Sequence, residues 1–202
     1  MTDNVIKQFV EDARAVTLDL FGHETMRRDA TFAGDNRVTL TRSWGDGPKA
    51  CFIGCNPSRA GKKLDDPTCL WWTAWSQFFG YGRYVAVNMY PFVTSSPAEC
   101  RKIADWENNG PDWHARDAMM HNLDIVVREA KSADIVIACW GAIAWDAAWI
   151  DHVVEQIQSN EAPWPDLYCF GVTASGAPKH PMARGVHRIP RDQKPILWRA
   201  AT

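Results

Sequence analysis

Four short apolar runs dominate the sequence: ACFIG (50–54), YVAVN (84–88), ADIVIACWG (133–141) and LYCFG (167–171). Runs this short and this uniformly apolar read as strands covered on both faces. Helix-like stretches separate them: DDPTCLWWTAWSQFFGYG (65–82), DWHARDAMMHNLDIVVREAKSA (112–133) and AIAWDAAWIDHVVEQIQ (142–158). Strands joined through helices become parallel neighbours by right-handed crossovers. The expected fold class is therefore α/β, a three-layer α/β/α sandwich around a central, mainly parallel, four-stranded sheet. An amphipathic helix over VIKQFVEDARAVTLDLF (5–21) and an edge strand over RVTLTRSW (37–44) are expected to precede it.

Composition narrows the class. A chain of 202 residues is short for two cores, so one domain spanning 1–202 is expected. Hydrophobic residues at 46% and charged residues at 23% are globular values, not those of a disordered chain. A net charge of −2 provides no global field for nucleic acid, so any such contact must be local. The six cysteines form no C-x-x-C pair, which argues against zinc and iron–sulfur sites; no metal and no cofactor is expected. Cys51, Cys139 and Cys169 read as small buried hydrophobes in a reducing compartment. The N-terminus has acidic residues and no long apolar block, so a cytoplasmic protein without membrane contact is expected. Most of the 11 tryptophans should be core, although a groove that stacks bases would also use them.

Punctuation places the chemistry. Asp66 can cap the helix that begins at Pro67, and Gly80 or Gly82 can end it. In open parallel sheets, ligands bind beyond the carboxyl ends of the strands. Four loops, starting at Asn56, Asn88, Gly141 and Thr173, should therefore converge.

The motifs at those strand ends resemble the uracil-DNA glycosylase superfamily: Gly54-Cys55-Asn56-Pro57, Val87-Asn88, Ala138-Cys139-Trp140-Gly141-Ala142-Ile143-Ala144, and His180-Pro181. More closely, the chain resembles a family of bacterial and phage proteins with N-P-S, D-D-P-T, G-Y-G, W-G and S-G-x-P-x-H-P motifs, matching from Arg37 to Pro181. It departs from the uracil-specific branch in carrying Asn56 where that branch has aspartate, as the mismatch-directed branch does. The late loop also lacks the full H-P-S-P pattern.

The resemblance implies a DNA glycosylase with a uracil-DNA glycosylase-like fold, and assigns roles. Asn56 orients water through its amide oxygen, since it cannot take a proton near neutral pH. His180 donates to a carbonyl oxygen on the departing base, an interaction worth roughly 3 to 4 kcal/mol for one well-aimed donor. Each also reads as an ordinary loop residue. Asn88 carries a donor and an acceptor, so it can pair with the edge of a pyrimidine or cap its own loop. Tyr90 and Phe92 could stack on a flipped base or belong to the core, and Trp140 belongs to the base-binding group by its motif. Asp66 is explained by helix capping; Asp65 is not, and stands as a candidate general base or cation-stabilising group.

Ser58, Arg59, Lys62 and Lys63 follow one loop, and Lys179, Arg184, His187, Arg188 and Arg191 another. These basic clusters could grip DNA phosphates or form solvated faces. The expected activity is removal of a flipped, modified or mismatched pyrimidine from double- or single-stranded DNA by a monomer, leaving an abasic site. Hypermodified phage bases such as glucosylated hydroxymethylcytosine, in defence against phage, fit that activity. The alternatives are a hydrolase of free nucleosides, nucleotides or nucleotide-sugars, and a non-catalytic nucleic-acid-binding module.

Overall fold

The computed structural model describes residues 16–18, 24–105, 113–159 and 161–201. Among them are eight strands: β1 (Val16–Leu18), β2 (Glu24–Ala33), β3 (Asn36–Ser43), β4 (Lys49–Gly54), β5 (Arg83–Asn88), β6 (Ile135–Ala138), β7 (Leu167–Cys169) and β8 (Ile196–Arg199). The helices are α1 (Pro67–Phe78), α2 (Pro97–Ala104), α3 (Trp113–Lys131) and α4 (Ala147–Gln158), with a single 3-10 turn at Gly185–His187.

All eight strands form one mixed sheet in the order β1-β2-β3-β5-β4-β6-β7-β8. Antiparallel pairings (β1/β2, β2/β3, β3/β5, β7/β8) outnumber the parallel ones (β4/β5, β4/β6, β6/β7). The expected four-stranded, mainly parallel sheet is thereby corrected. The crossover argument holds only where a helix separates two strands. A two-residue turn at Gly34-Asp35 joins β2 to β3, and strands joined that tightly can only be antiparallel. The segment 37–44 is likewise not an edge: β3 lies between β2 and β5. Of the helix expected over 5–21, Val16–Leu18 is a strand and the remainder lies outside the described residues.

The inner strands are apolar throughout because both faces are covered, with side chains alternating between them. Cys51, Ile53, Val85, Val87 and Val136 pack against α2, α3 and α4 on one face. Ala50, Phe52, Tyr84, Ala86 and Ile137 pack on the other against Trp71, Trp72 and Trp75 of α1. All six cysteines are buried and unpaired. No helix among the described residues is long and apolar enough to cross a membrane.

The parallel register β4–β5 sets Gly54 opposite Asn88, so both strands end at the same level. Beside them, Cys139 N–H donates to the Ile53 carbonyl at 2.9 Å, bringing the end of β6 to the same edge. The loops after β4, β5, β6 and β7 leave from this rim.

Candidate active site

A cavity of about 180 Å³ opens at that rim, and Asn56, Asn88, Ile143 and His180 bring all four loops to its wall. Its other lining residues include Arg37 of β3, Ser58, Asp66, Trp72 of α1 and Thr94.

Asn56 is held by its amide nitrogen, which donates to the carbonyls of Thr94 at 3.1 Å and Pro57 at 3.2 Å. Two carbonyl oxygens facing one amide atom require that atom to be nitrogen. Oδ1 is therefore the other atom, and it accepts no hydrogen bond from the described residues. It is placed to accept from water or a ligand.

Asn88 is 3% exposed, and its Nδ2 is buried with no hydrogen-bond partner. Its backbone carbonyl accepts from Asn122 Nδ2 at 2.9 Å, which fixes the main chain and leaves the amide to the cavity. Gly54 makes room for it: a Cβ there would lie 2.7 Å from Asn88 Oδ1. The glycine of the G-x-N-P motif thus serves the asparagine of the neighbouring strand. Arg37 Nε is a second unpartnered buried donor on the same wall, while the Trp72 indole N–H has the buried Cys139 sulfur as its partner. Such unpartnered groups are rare in folded proteins, and two on one cavity wall fit a ligand rich in acceptors.

His180 accepts from Met182 N–H through Nδ1 at 3.1 Å, so the neutral ring carries its proton on Nε2. Burial lowers its pKa below the ordinary 6.5, with the Asp66 carboxylate opposing. At neutral pH it is an uncharged N–H donor. Gly141 lets the loop come close: it has φ +75°, and a Cβ on it would lie 3.0 Å from His180 Cβ. Cys55 also lines the cavity, but burial pushes its thiol up to about 12, which removes a thiolate nucleophile from consideration.

Other expected residues lie elsewhere. Asp65 is not at the cavity; it is an ion-pair partner of Arg42 at 2.6 Å and Arg28 at 3.1 Å. Arg42 is fully buried and also donates to the Gly61 carbonyl, while Arg37 donates to that of Ala60. Two buried β3 arginines thus pin the loop between β4 and α1, and the Asp65 charge is spent balancing one of them. Tyr90, Phe92 and Trp140 are buried in the core and do not line the cavity. Tyr90 stacks on Trp145 at 4.2 Å, and Trp140 packs edge-on against Trp198 at 5.2 Å. The aromatic residue at the site is Trp72, stacked on Phe52 at 5.2 Å.

The basic residues divide. Ser58 lines the cavity and donates its hydroxyl to Asp66 Oδ2. Arg59 and Lys63 are exposed on the same loop, and Lys62 pairs with Asp29 at 3.1 Å. Lys179 is half-buried with its side chain alongside Gly171, and His187 is exposed in the 3-10 turn. Arg184, Arg188 and Arg191 line a second, larger cavity of about 770 Å³ over Leu70, Trp71 and Ile189. It begins at Pro67 and Pro181, the residues immediately after Asp66 and His180, so the two cavities adjoin.

Sequence reasoning missed Arg37, Trp72 and the position of Asp66. For the first two the available signal was weak: an arginine opening an alternating strand, and one tryptophan in a helix that carries three. A family model described as "Protein of unknown function (DUF1643)" matches residues 37–182. No curated protein and no solved structure matches the chain.

Proposed function

We propose that this chain, which belongs to the DUF1643 family, hydrolyses the N-glycosidic bond of a flipped-out, modified or mismatched pyrimidine in DNA and leaves an abasic site. The observation that carries the reading is that Asn56, Asn88 and His180, 32 and 92 residues apart in the chain, line one cavity at the strand ends. Each offers what the reaction needs. Asn56 Oδ1 orients a water, the Asn88 amide reads the edge of the base, and His180 Nε2–H supports the charge that develops on the departing base. Trp72 supplies an aromatic wall. The arginines of the adjoining groove are suited to strand phosphates despite the acidic total, because phosphate contacts need only a local patch.

The uracil-DNA glycosylase resemblance supports the same reading through its ordered strand-end motifs. A phage-modified base as target, a role in phage defence, action as a monomer and a cytoplasmic location belong to the proposal as well. The test is a panel of single- and double-stranded oligonucleotides carrying modified or mismatched pyrimidines, incubated with protein and then heated in alkali. Strand cleavage at a base in the panel, lost in Asn56→Ala, supports the proposal. Turnover confined to free nucleosides or nucleotides transfers the chemistry to a small-molecule hydrolase. DNA binding without any base release leaves a binding module.

A further inference from the structure

We propose that Asp66 is the catalytic carboxylate of this site, facing the sugar and stabilising the positive charge that develops on it as the base leaves. The inference rests on the N-glycosidic reading above and adds the group that Asn56 cannot be. Asp66 is the only carboxylate among the described lining residues of the cavity. Its neighbour Asp65, the stronger candidate on sequence, is occupied by Arg42 and Arg28.

Helix capping does not exhaust Asp66. Oδ1 accepts Cys69 N–H at 2.8 Å and Oδ2 accepts the Ser58 hydroxyl. A carboxylate offers about four acceptor positions and the Cys69 thiol also bonds to this one, so one position remains for a ligand or water. These contacts also fix the carboxylate rigidly, as preorganised electrostatic stabilisation requires. Burial alone would raise its pKa, but the bonds from Ser58 and Cys69, with Arg37 nearby, outweigh burial and hold it below the ordinary carboxylate range. It is a permanent anion of low basicity, suited to stabilising a cation more than to removing a proton. Independent evidence that the cavity takes a ligand comes from Asn88, 3% exposed with Nδ2 unpartnered on the same wall.

The step balances with water alone. The C1′–N bond breaks with its electron pair on the base, whose carbonyl oxygen receives the His180 hydrogen bond. Water held by Asn56 and Asp66 forms the new C1′–O bond, its surplus proton passes to solvent, and the base anion takes one from solvent. Asp66 faces the sugar while C1′ is most positive.

Two duplexes test this without knowledge of the excised base: one with a protonated pyrrolidine in place of the abasic sugar, the other with neutral tetrahydrofuran. Wild type is expected to bind the cationic duplex about tenfold more tightly, the preference one well-placed charge supplies. Asp66→Asn and Asp66→Ser both keep a strong N-cap. Each is expected to bind the two duplexes alike, with affinity for the neutral duplex within about threefold of wild type. Persistence of the preference in whichever variant folds, or its absence from wild type, overturns the role of Asp66 and leaves the glycosylase reading standing. Failure of wild type to bind either duplex overturns the DNA reading and this inference with it.

Discussion

Replacing Asn56 by aspartate tests whether the amide is oriented as described. The Asn56 nitrogen donates to the carbonyls of Thr94 and Pro57 at 3.1 and 3.2 Å. An ionised carboxylate in its place has no proton to give, so two carbonyl oxygens lose their donor and face a negative oxygen. A hydrogen bond contributes about 0.5 to 1.5 kcal/mol net, so losing two removes about 1 to 3 kcal/mol before repulsion. With repulsion the deficit at pH 8 is about 2 to 4 kcal/mol, or roughly 4 to 16 °C in Tm for a chain of this size. The same repulsion lifts the folded-state pKa of the new carboxyl above its unfolded value of about 3.9. The deficit is therefore smallest below about pH 4, where the acid is protonated in both states and can donate once, and complete after pH rises through the folded pKa. Asn56→Ala loses the donor without adding charge, so its deficit should not vary with pH. Urea unfolding of the three proteins between pH 4 and 8 measures this. An Asn56→Asp protein as stable as wild type at pH 8 would mean that the oxygen faces the carbonyls, and the water-orienting role of Oδ1 would fall.

Three further outcomes follow from the geometry. Gly54→Ala places a methyl 2.7 Å from Asn88 Oδ1, so affinity for base-containing substrate should drop about tenfold or more while affinity for abasic DNA is kept; equal loss on both would contradict the base-reading role. Asp65→Ala leaves the fully buried Arg42 without its counter-charge and should cost about 3 to 5 kcal/mol in chemical denaturation, whereas a loss under about 1 kcal/mol would show that the pair is not structural. His180, half-buried and depressed below 6.5, should contribute stability in full above its unfolded pKa of about 6.5 and lose it as pH falls through the folded value. NMR titration should find the ring below 6.5, and lower still in Asp66→Asn; a value above 6.5 contradicts the neutral donor.

The parts legible in the sequence are those with a strong local cause. The apolar runs gave the inner strands because two-sided burial leaves no polar position, and Asp66-Pro67 marked the start of α1 because cap chemistry is local. The strand β2 was not legible because Arg27, Arg28 and Asp29 interrupt any apolar alternation, and β8 is four residues with no flanking signal. Without those strands the antiparallel half of the sheet could not be foreseen. Asp65 and Asp66 show the same limit at the site. Adjacent residues in an extended segment point opposite ways, and only the buried arginines of β3 decide which carboxylate faces the ion pairs and which the cavity. Tyr90 and Phe92 fell to the core because the chain beyond β5 turns back under Trp145 and α2, a long-range packing outcome without a local pattern.

The most direct measurement is the single-turnover rate of base release from the best substrate of the modified-base panel, compared among wild type, Asn56→Ala and His180→Ala. The account predicts free base and an abasic site from wild type. It predicts a loss of about 10² to 10³-fold from His180→Ala, the scale of removing one charge-stabilising donor, and a substantial loss from Asn56→Ala with DNA binding retained. Base release at an undiminished rate from both folded variants would contradict it, because the cavity they share would then not be where the bond breaks.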